Sequence, residues 1–184
     1  MKRAIAMQKV AVFGNAGGGK STLSRQLATI TGLPLYVLDK IKFQSGGIEI
    51  PQEDYQRIHQ EILATEQWII DGFGSLDTLW PRLAAADTLV YVDLSIAVHF
   101  GLVTKRWLTG YFTPPPGWPE RSPIFKSSLN SYRVLWRCHK YLTPRYRAYV
   151  EQARATKTVY HIRSIAQIAQ TLAAIADSTA ATPP

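Results

Sequence analysis

Residues 9–23 read KVAVFGNAGGGKSTL. Lys9–Phe13 is a short apolar run suited to a buried strand. Lys20–Ile30 has Leu23, Leu27 and Ile30 at helical spacing, and Gly32 and Pro34 stop that helix. Between strand and helix, Gly14-Asn15-Ala16-Gly17-Gly18-Gly19-Lys20-Ser21 satisfies G-x-x-x-x-G-K-[S/T], in the context that gives the pattern meaning. The glycines let successive backbone N–H groups turn toward phosphate oxygens. The helix beginning near Lys20 adds its positive dipole end. Lys20 suits the β- and γ-phosphates, and the Ser21 hydroxyl suits Mg²⁺. Gly14, Asn15, Ala16, Gly17, Gly18, Gly19, Lys20, Ser21 and Thr22 are therefore the expected nucleotide-binding residues, with ATP and Mg²⁺ as the expected cofactors.

Outward from this loop, short apolar runs alternate with amphipathic stretches. Leu35–Leu38, Trp68–Ile70, Thr88–Val92 and Lys157–His161 read as further strands. A helix is expected from about Pro51 to Glu66, with Glu53 and Asp54 at its positive end. Ser95 is placed to cap the helix after the fourth strand. Ser164 and Gln167 suit a capping box for a last helix through Ile175. Such alternation predicts a three-layer α/β/α domain with a parallel sheet covered on both faces. The domain is expected over residues 1–177, with a disordered tail at 178–184. An insertion over about 105–156 breaks the alternation. It holds five prolines between Pro114 and Pro123, and helix openings at Ser122-Pro123 and Thr143-Pro144.

A carboxylate that handles the metal should end a strand beside the phosphate loop. Asp71 and Asp93 both qualify. Asp71 is favoured because it follows Trp-Ile-Ile directly and Gly72 allows close backbone approach. Asp39 ends the second strand at the same mouth, where ligands of open α/β sheets bind. A carboxylate there suits an acceptor hydroxyl. Asp71-Gly72-Phe73-Gly74 also fits a GTPase D-x-x-G, but no N-K-x-D guanine-reading motif follows.

With Gly14–Thr22, Leu38-Asp39, Trp68-Ile69-Ile70-Asp71-Gly72 and Ala86-Asp87-Thr88 in place, Lys9 to Asp93 resembles the nucleoside-monophosphate kinase-like P-loop family. Within it the likeness is closest to the adenylate-kinase-related members described as DNA topology modulation proteins. The resemblance implies a five-stranded parallel sheet ordered 2-3-1-4-5 and an arginine-bearing lid. It also implies an ATP-dependent kinase. Adenylate kinases carry Pro-Arg-Thr after Asp-Gly-Phe. Gly74-Ser75-Leu76 stands there instead, and Arg82 is the candidate to replace the missing arginine.

Net charge is +8 and is unevenly spread. Lys105 to Arg163 holds 12 Lys and Arg against Glu120 and Glu151. Lys126, Arg133, Arg137 and Lys140 fall on one helix face, and Arg133 and Arg137 are the first candidates for charge stabilisation in phosphoryl transfer. A solvated face, a nucleotide-facing stripe and a nucleic-acid surface all fit that pattern. A single cysteine, Cys138, excludes an internal disulfide and suits a reducing, cytoplasmic setting. No apolar stretch suits a membrane span. Two functions follow. One is a kinase moving the ATP γ-phosphoryl to a small-molecule acceptor. The other is a nucleotide-switched nucleic-acid-binding protein.

Overall fold

A computed structural model describes residues 7–44, 47–110 and 132–180. Its first strand, β1 (Lys9–Gly14), divides its side chains between two apolar layers. Val10 and Val12 enter one cluster, and Ala11 and Phe13 the other. The strands β3 (Trp68–Asp71) and β4 (Thr88–Val92) alternate in the same way and are buried throughout. Burial on both faces explains why they read as continuous apolar runs.

The sheet is parallel and ordered β2-β3-β1-β4-β5, with β2 at Leu35–Val37 and β5 at Thr158–Ile162. The expected order 2-3-1-4-5 is thus observed. Helix α1 (Lys20–Thr31) covers one face through Leu23 and Leu27, beside α8 (Ile165–Ala180) through Leu172 and Ile175. The other face carries α3 (Gln52–Ala64), α4 (Leu76–Ala85) and α7 (Thr143–Ala153), through Tyr55, Leu79, Leu83 and Tyr146. Helix α5 (Ile96–Gly110) follows β4, and its start is capped by Ser95, whose hydroxyl accepts the Val98 N–H at 3.4 Å. Helical residues 132–137, here α6, run through a π-helical turn at Cys138–Leu142 into α7.

Several boundaries differ from the sequence expectation. Strand β2 stops at Val37, and Asp39 lies in the first turn of a short helix, α2 (Leu38–Lys42), not at a strand end. Leu38 is fully buried, and turning the chain into a helix there keeps it in the core while bringing Asp39 beside the β3 exit. The chain also forms α4, which its internal Pro81 masks in the sequence. Ser75 and Thr78 make its capping box. Helix α8 continues past the expected tail start at Ser178, whose hydroxyl donates to the Ile175 carbonyl at 2.8 Å. The opening at Ser122-Pro123 and the position of Lys126 lie outside the described residues, whereas Thr143 and Pro144 are the first residues of α7, which continues from the π-helical turn without Thr143 acting as a cap.

The Ala86-Asp87-Thr88 motif has a structural reason. The Asp87 carboxylate accepts the backbone N–H groups of Gln8 at 3.0 Å and Lys9 at 2.7 Å, and the Thr88 hydroxyl at 2.6 Å. It fastens the start of β1 to β4. Hydrogen bonds to a charged group are each worth about 1.5–3 kcal/mol, and the orphaned N–H groups add a penalty. Asp87→Ala is therefore expected to lower the unfolding free energy by about 3 kcal/mol in urea titration, without changing nucleotide affinity per folded molecule.

Candidate active site

Parallel strands bring Gly14, Asp71 and Asp93 to one carboxyl edge of the sheet, since Val12 pairs with Asp71 and Gly14 with Val92. Gly14 has φ +135°, and a Cβ there would run into the Val92 carbonyl. The chain leaves β1 along a path closed to other residues. Asn15 is buried and fixes the next step. Its Nδ2–H donates to the Leu135 carbonyl at 3.0 Å and its Oδ1 accepts the Ala16 N–H at 2.8 Å. The loop is thereby tied to α6. Lys20 Nζ donates to the Asn15 carbonyl at 2.6 Å, which places the ammonium over the loop. The first turn of α1 holds Lys20, Ser21 and Thr22, carries no acidic residue and has no side-chain cap. First-turn N–H groups without helical partners then face an anion site of positive potential.

His99 of α5 lies beneath the loop and is almost wholly buried. Its Nδ1 is 2.7 Å from the Ala16 carbonyl and so carries the proton of that hydrogen bond. Burial, with the Lys20 charge adding, pushes its pKa down to about 4, and the imidazole is neutral.

Asp71 is 1% exposed, and its Oδ1 has no hydrogen-bond partner among the described residues. An orphaned buried carboxylate oxygen beside a phosphate loop suits a cation or its water. With the Ser21 hydroxyl on the adjoining helix, the residues fit an Mg²⁺ ion. Gly72 follows with φ +113°, and a Cβ there would stand 3.6 Å from Asp39 Oδ1. Asp39 therefore lies beside Gly72, the residue that follows Asp71 at the exit of β3.

Behind this loop sits Arg82, which is fully buried. Its Nη2 donates to the carbonyls of Gly72 at 3.0 Å and Phe73 at 3.4 Å, while Nε and Nη1 have no partner among the described residues. Burial pushes its pKa down, against Tyr55, Tyr146, Asp71 and Asp39, which favour the charge. Arg82 is thus neither a surface arginine nor an exposed grip. It supports the 72–74 turn from inside. Beside Ser21, a cleft of about 470 Å³ opens against Arg25, Tyr36, Lys40 and Ile41.

Asp93 is committed elsewhere. Arg147 meets it with Nε at 2.8 Å and Nη2 at 3.0 Å, and His161 Nε2 lies 2.9 Å away. Burial alone would raise its carboxyl, but the hydrogen bonds from Arg147 and His161 outweigh burial and hold the pKa below its ordinary value. A depressed carboxyl contributes stability that is fully present above the unfolded value, about 3.9. That contribution is lost as pH falls through the folded value. The stability gap between wild type and Arg147→Ala, read from urea unfolding, should be widest near neutrality and should narrow by about pH 3. Arg147, within the expected insertion over about 105–156, thus clasps α7 to the ends of β4 and β5.

Arg133, Arg137 and Lys140 are all exposed. The π-helical turn begins immediately after Arg137, so Lys140 is rotated off a simple helical stripe. Between the two arginines, Leu135 is buried and its carbonyl holds Asn15. The arginines therefore stand on a helix that abuts the phosphate loop, but at its solvent side, and they do not join Asp39 and Asp71. His99, the Asp93 clasp and the π turn went unseen in the sequence. Only Ser95 before the α5 segment hinted at a helix placing His99.

No family model matches the chain. A shikimate kinase from Leptospira borgpetersenii serovar Hardjo-bovis (strain JB197) is 32% identical over 142 residues, which cover 68% of this chain and 77% of that protein. The chain belongs to the shikimate kinase family. Membership makes it a P-loop kinase by descent. The shikimate kinase from Acinetobacter baumannii, solved in complex with shikimate, superposes with a TM-score of 0.57 and 14% identity, covering 95% of this chain and 94% of that one. At that identity the likeness concerns the fold, and it spans the described sheet and its helices. Within this shikimate kinase family fold, no described helix is long and apolar enough to cross a membrane.

Proposed function

We propose that the protein transfers the ATP γ-phosphoryl group to a hydroxyl of a small hydroxylated carboxylic acid, shikimate or a close analogue. The observation that carries this reading is the buried, unpartnered carboxylate oxygen of Asp71 on the strand beside the phosphate loop, with Asp39 next to the Gly72 that follows it. The name of the Leptospira relative supports the acceptor class. So do the cations of Arg25 and Lys40 lining the cleft next to Ser21.

The triphosphate lies on the Gly14–Thr22 loop, its β- and γ-oxygens against backbone N–H groups and Lys20. Ser21 and Asp71 would hold Mg²⁺, which would supply neutralisation of the charge that develops on the phosphates. Asp39 orients the acceptor hydroxyl and takes its proton. The acceptor oxygen–phosphorus bond forms as the bond from the γ-phosphorus to the β–γ bridging oxygen breaks, and the electron pair leaves with ADP. Arg133 and Arg137, on the helix that abuts the phosphate loop, reach the developing charge by side-chain movement and stabilise it. An ATP-consuming step of this kind suits the cytoplasm.

A second reading rests on one feature. Trp136 and Tyr141 are exposed among Arg133, Arg137 and Lys140, and aromatics interleaved with cations suit single-stranded nucleic acid. This reading, which accords with the topology-modulation likeness, requires binding that collapses between about 50 and 200 mM salt.

Incubation with γ-labelled ATP and Mg²⁺ against shikimate, other hydroxylated acids, nucleoside monophosphates and nucleosides separates these outcomes. Label on shikimate or another hydroxylated acid is expected. Label on a nucleoside monophosphate alone would overturn the acceptor class and restore the nucleoside-monophosphate-kinase reading.

A further inference from the structure

The apex of the phosphate loop rests on α5. Gly17 has φ +71°, and a Cβ there would stand 2.5 Å from Val103 Cγ2 and 3.3 Å from the His99 carbonyl oxygen. A Cβ at Gly18 would stand 3.0 Å from His99 Cε1. The loop is therefore pressed flat on the helix, with His99 directly beneath its turn. A specific polar contact crosses this surface. The Ala16 carbonyl accepts from His99 Nδ1 at 2.7 Å.

That contact has a geometric consequence. In a trans peptide the C=O of one residue and the N–H of the next point in opposite directions, and no cis peptide bond occurs among the described residues. Drawing the Ala16 carbonyl down onto His99 turns the Gly17 N–H up, away from α5. The preceding N–H, of Ala16, is already taken by Asn15 Oδ1. The Gly17 N–H, next along the loop, is thus turned toward the side an anion would occupy, and its direction depends on His99. Gly17, on the C-terminal side of this peptide, allows it to flip when the anchor is lost. A neutral imidazole gives the donor without placing a second full cation against the Lys20 ammonium, and burial keeps it neutral.

We propose that His99 is a positioning residue for phosphate binding: its Nδ1–H anchors the Ala16 carbonyl and so directs the Gly17 N–H toward the nucleotide phosphates. The proposal rests on the assignment of Gly14–Thr22 as the nucleotide loop, but its test is separable from that assignment.

Two substitutions divide the donor from the packing. His99→Asn retains a donor, with Nδ2 at the branch position of imidazole Nδ1, but leaves the ring volume empty. His99→Phe fills the ring volume and has no donor. Mg·ADP affinity is measured by calorimetry for wild type and both variants, with the thermal midpoint of each. The expected result is Kd within about threefold of wild type for His99→Asn and raised at least about tenfold for His99→Phe, whichever variant is the more stable. A packing role predicts the reverse order. His99→Phe binding as tightly as wild type, or His99→Asn binding no better than His99→Phe, would overturn the proposal. Failure of the wild-type protein to bind Mg·ADP would instead overturn the nucleotide-loop assignment. If His99→Phe does not fold, His99→Asn alone decides: native thermal behaviour with affinity lowered at least about tenfold would refute the anchor.

Discussion

Lys20→Ala is expected to lower kcat/KM for ATP by at least about 10³ while leaving the fold in place. Removing one preorganised donor to a developing negative charge costs roughly 10²–10³ in rate, and Lys20 supplies a full charge as well as a donor. Its Nζ already sits over the loop, 2.6 Å from the Asn15 carbonyl. An entering triphosphate therefore meets an ammonium held at the loop mouth by a bond it can exchange. Alanine is a good helix former at this first position of α1. Lys20 is half-buried and outside the apolar clusters, so the thermal midpoint should stay within a few degrees of wild type. Acceptor-dependent ADP release and a thermal melt on the same preparation give both numbers. Wild-type turnover in the variant would remove Lys20 from the phosphate site.

The second large effect is expected at Asp39. Asp39→Asn should lower kcat by about 10²–10³ with ATP affinity unchanged, because a positioned base contributes about 10²–10⁴ to proton transfer. Asparagine preserves the size of the side chain in the first turn of α2 and its position beside Gly72. The phosphate loop follows β1, which β3 separates from β2 and Asp39. A parallel fall in ATP affinity would mark Asp39 as structural, and equal turnover in both proteins would exclude it from the chemistry. The contrast with Lys20 is informative: one variant loses the donor side of the reaction and the other the acceptor side.

The central strand, the loop and α1 were legible because their information is local. An apolar run, a glycine pattern and a helical spacing of Leu23 and Leu27 lie within one short stretch, and β1, the loop and α1 match them. The sheet order followed from the family resemblance and agrees with the observed β2-β3-β1-β4-β5. Asp39 was placed at the right mouth but on the wrong element, because Leu38 and Ile41 serve a strand extension or a helical turn equally well in sequence. Helix α4 carried its signals in Ser75, Thr78, Leu79 and Leu83, but Pro81 inside it obscures them.

What stayed hidden depends on distance along the chain. Asp93 meets Arg147 and His161 at separations of 54 and 68 residues, and His99 meets Ala16 at 83. No local spacing announces such pairs. Sequence shows Arg82 as a cation but cannot show that the fold buries it against the carbonyls of Gly72 and Phe73. Nor does a periodic charge stripe reveal the π-helical turn at Cys138–Leu142, which breaks the phase between Arg137 and Lys140.

The central claim, that the Gly14–Thr22 loop receives the nucleotide phosphates, is most directly tested by backbone amide NMR of the full chain titrated with Mg·ADP. The account predicts saturable shifts that are largest at the Gly17–Thr22 amides and absent in Lys20→Ala at the same nucleotide concentration. Nucleotide binding that leaves those amides unmoved would contradict it.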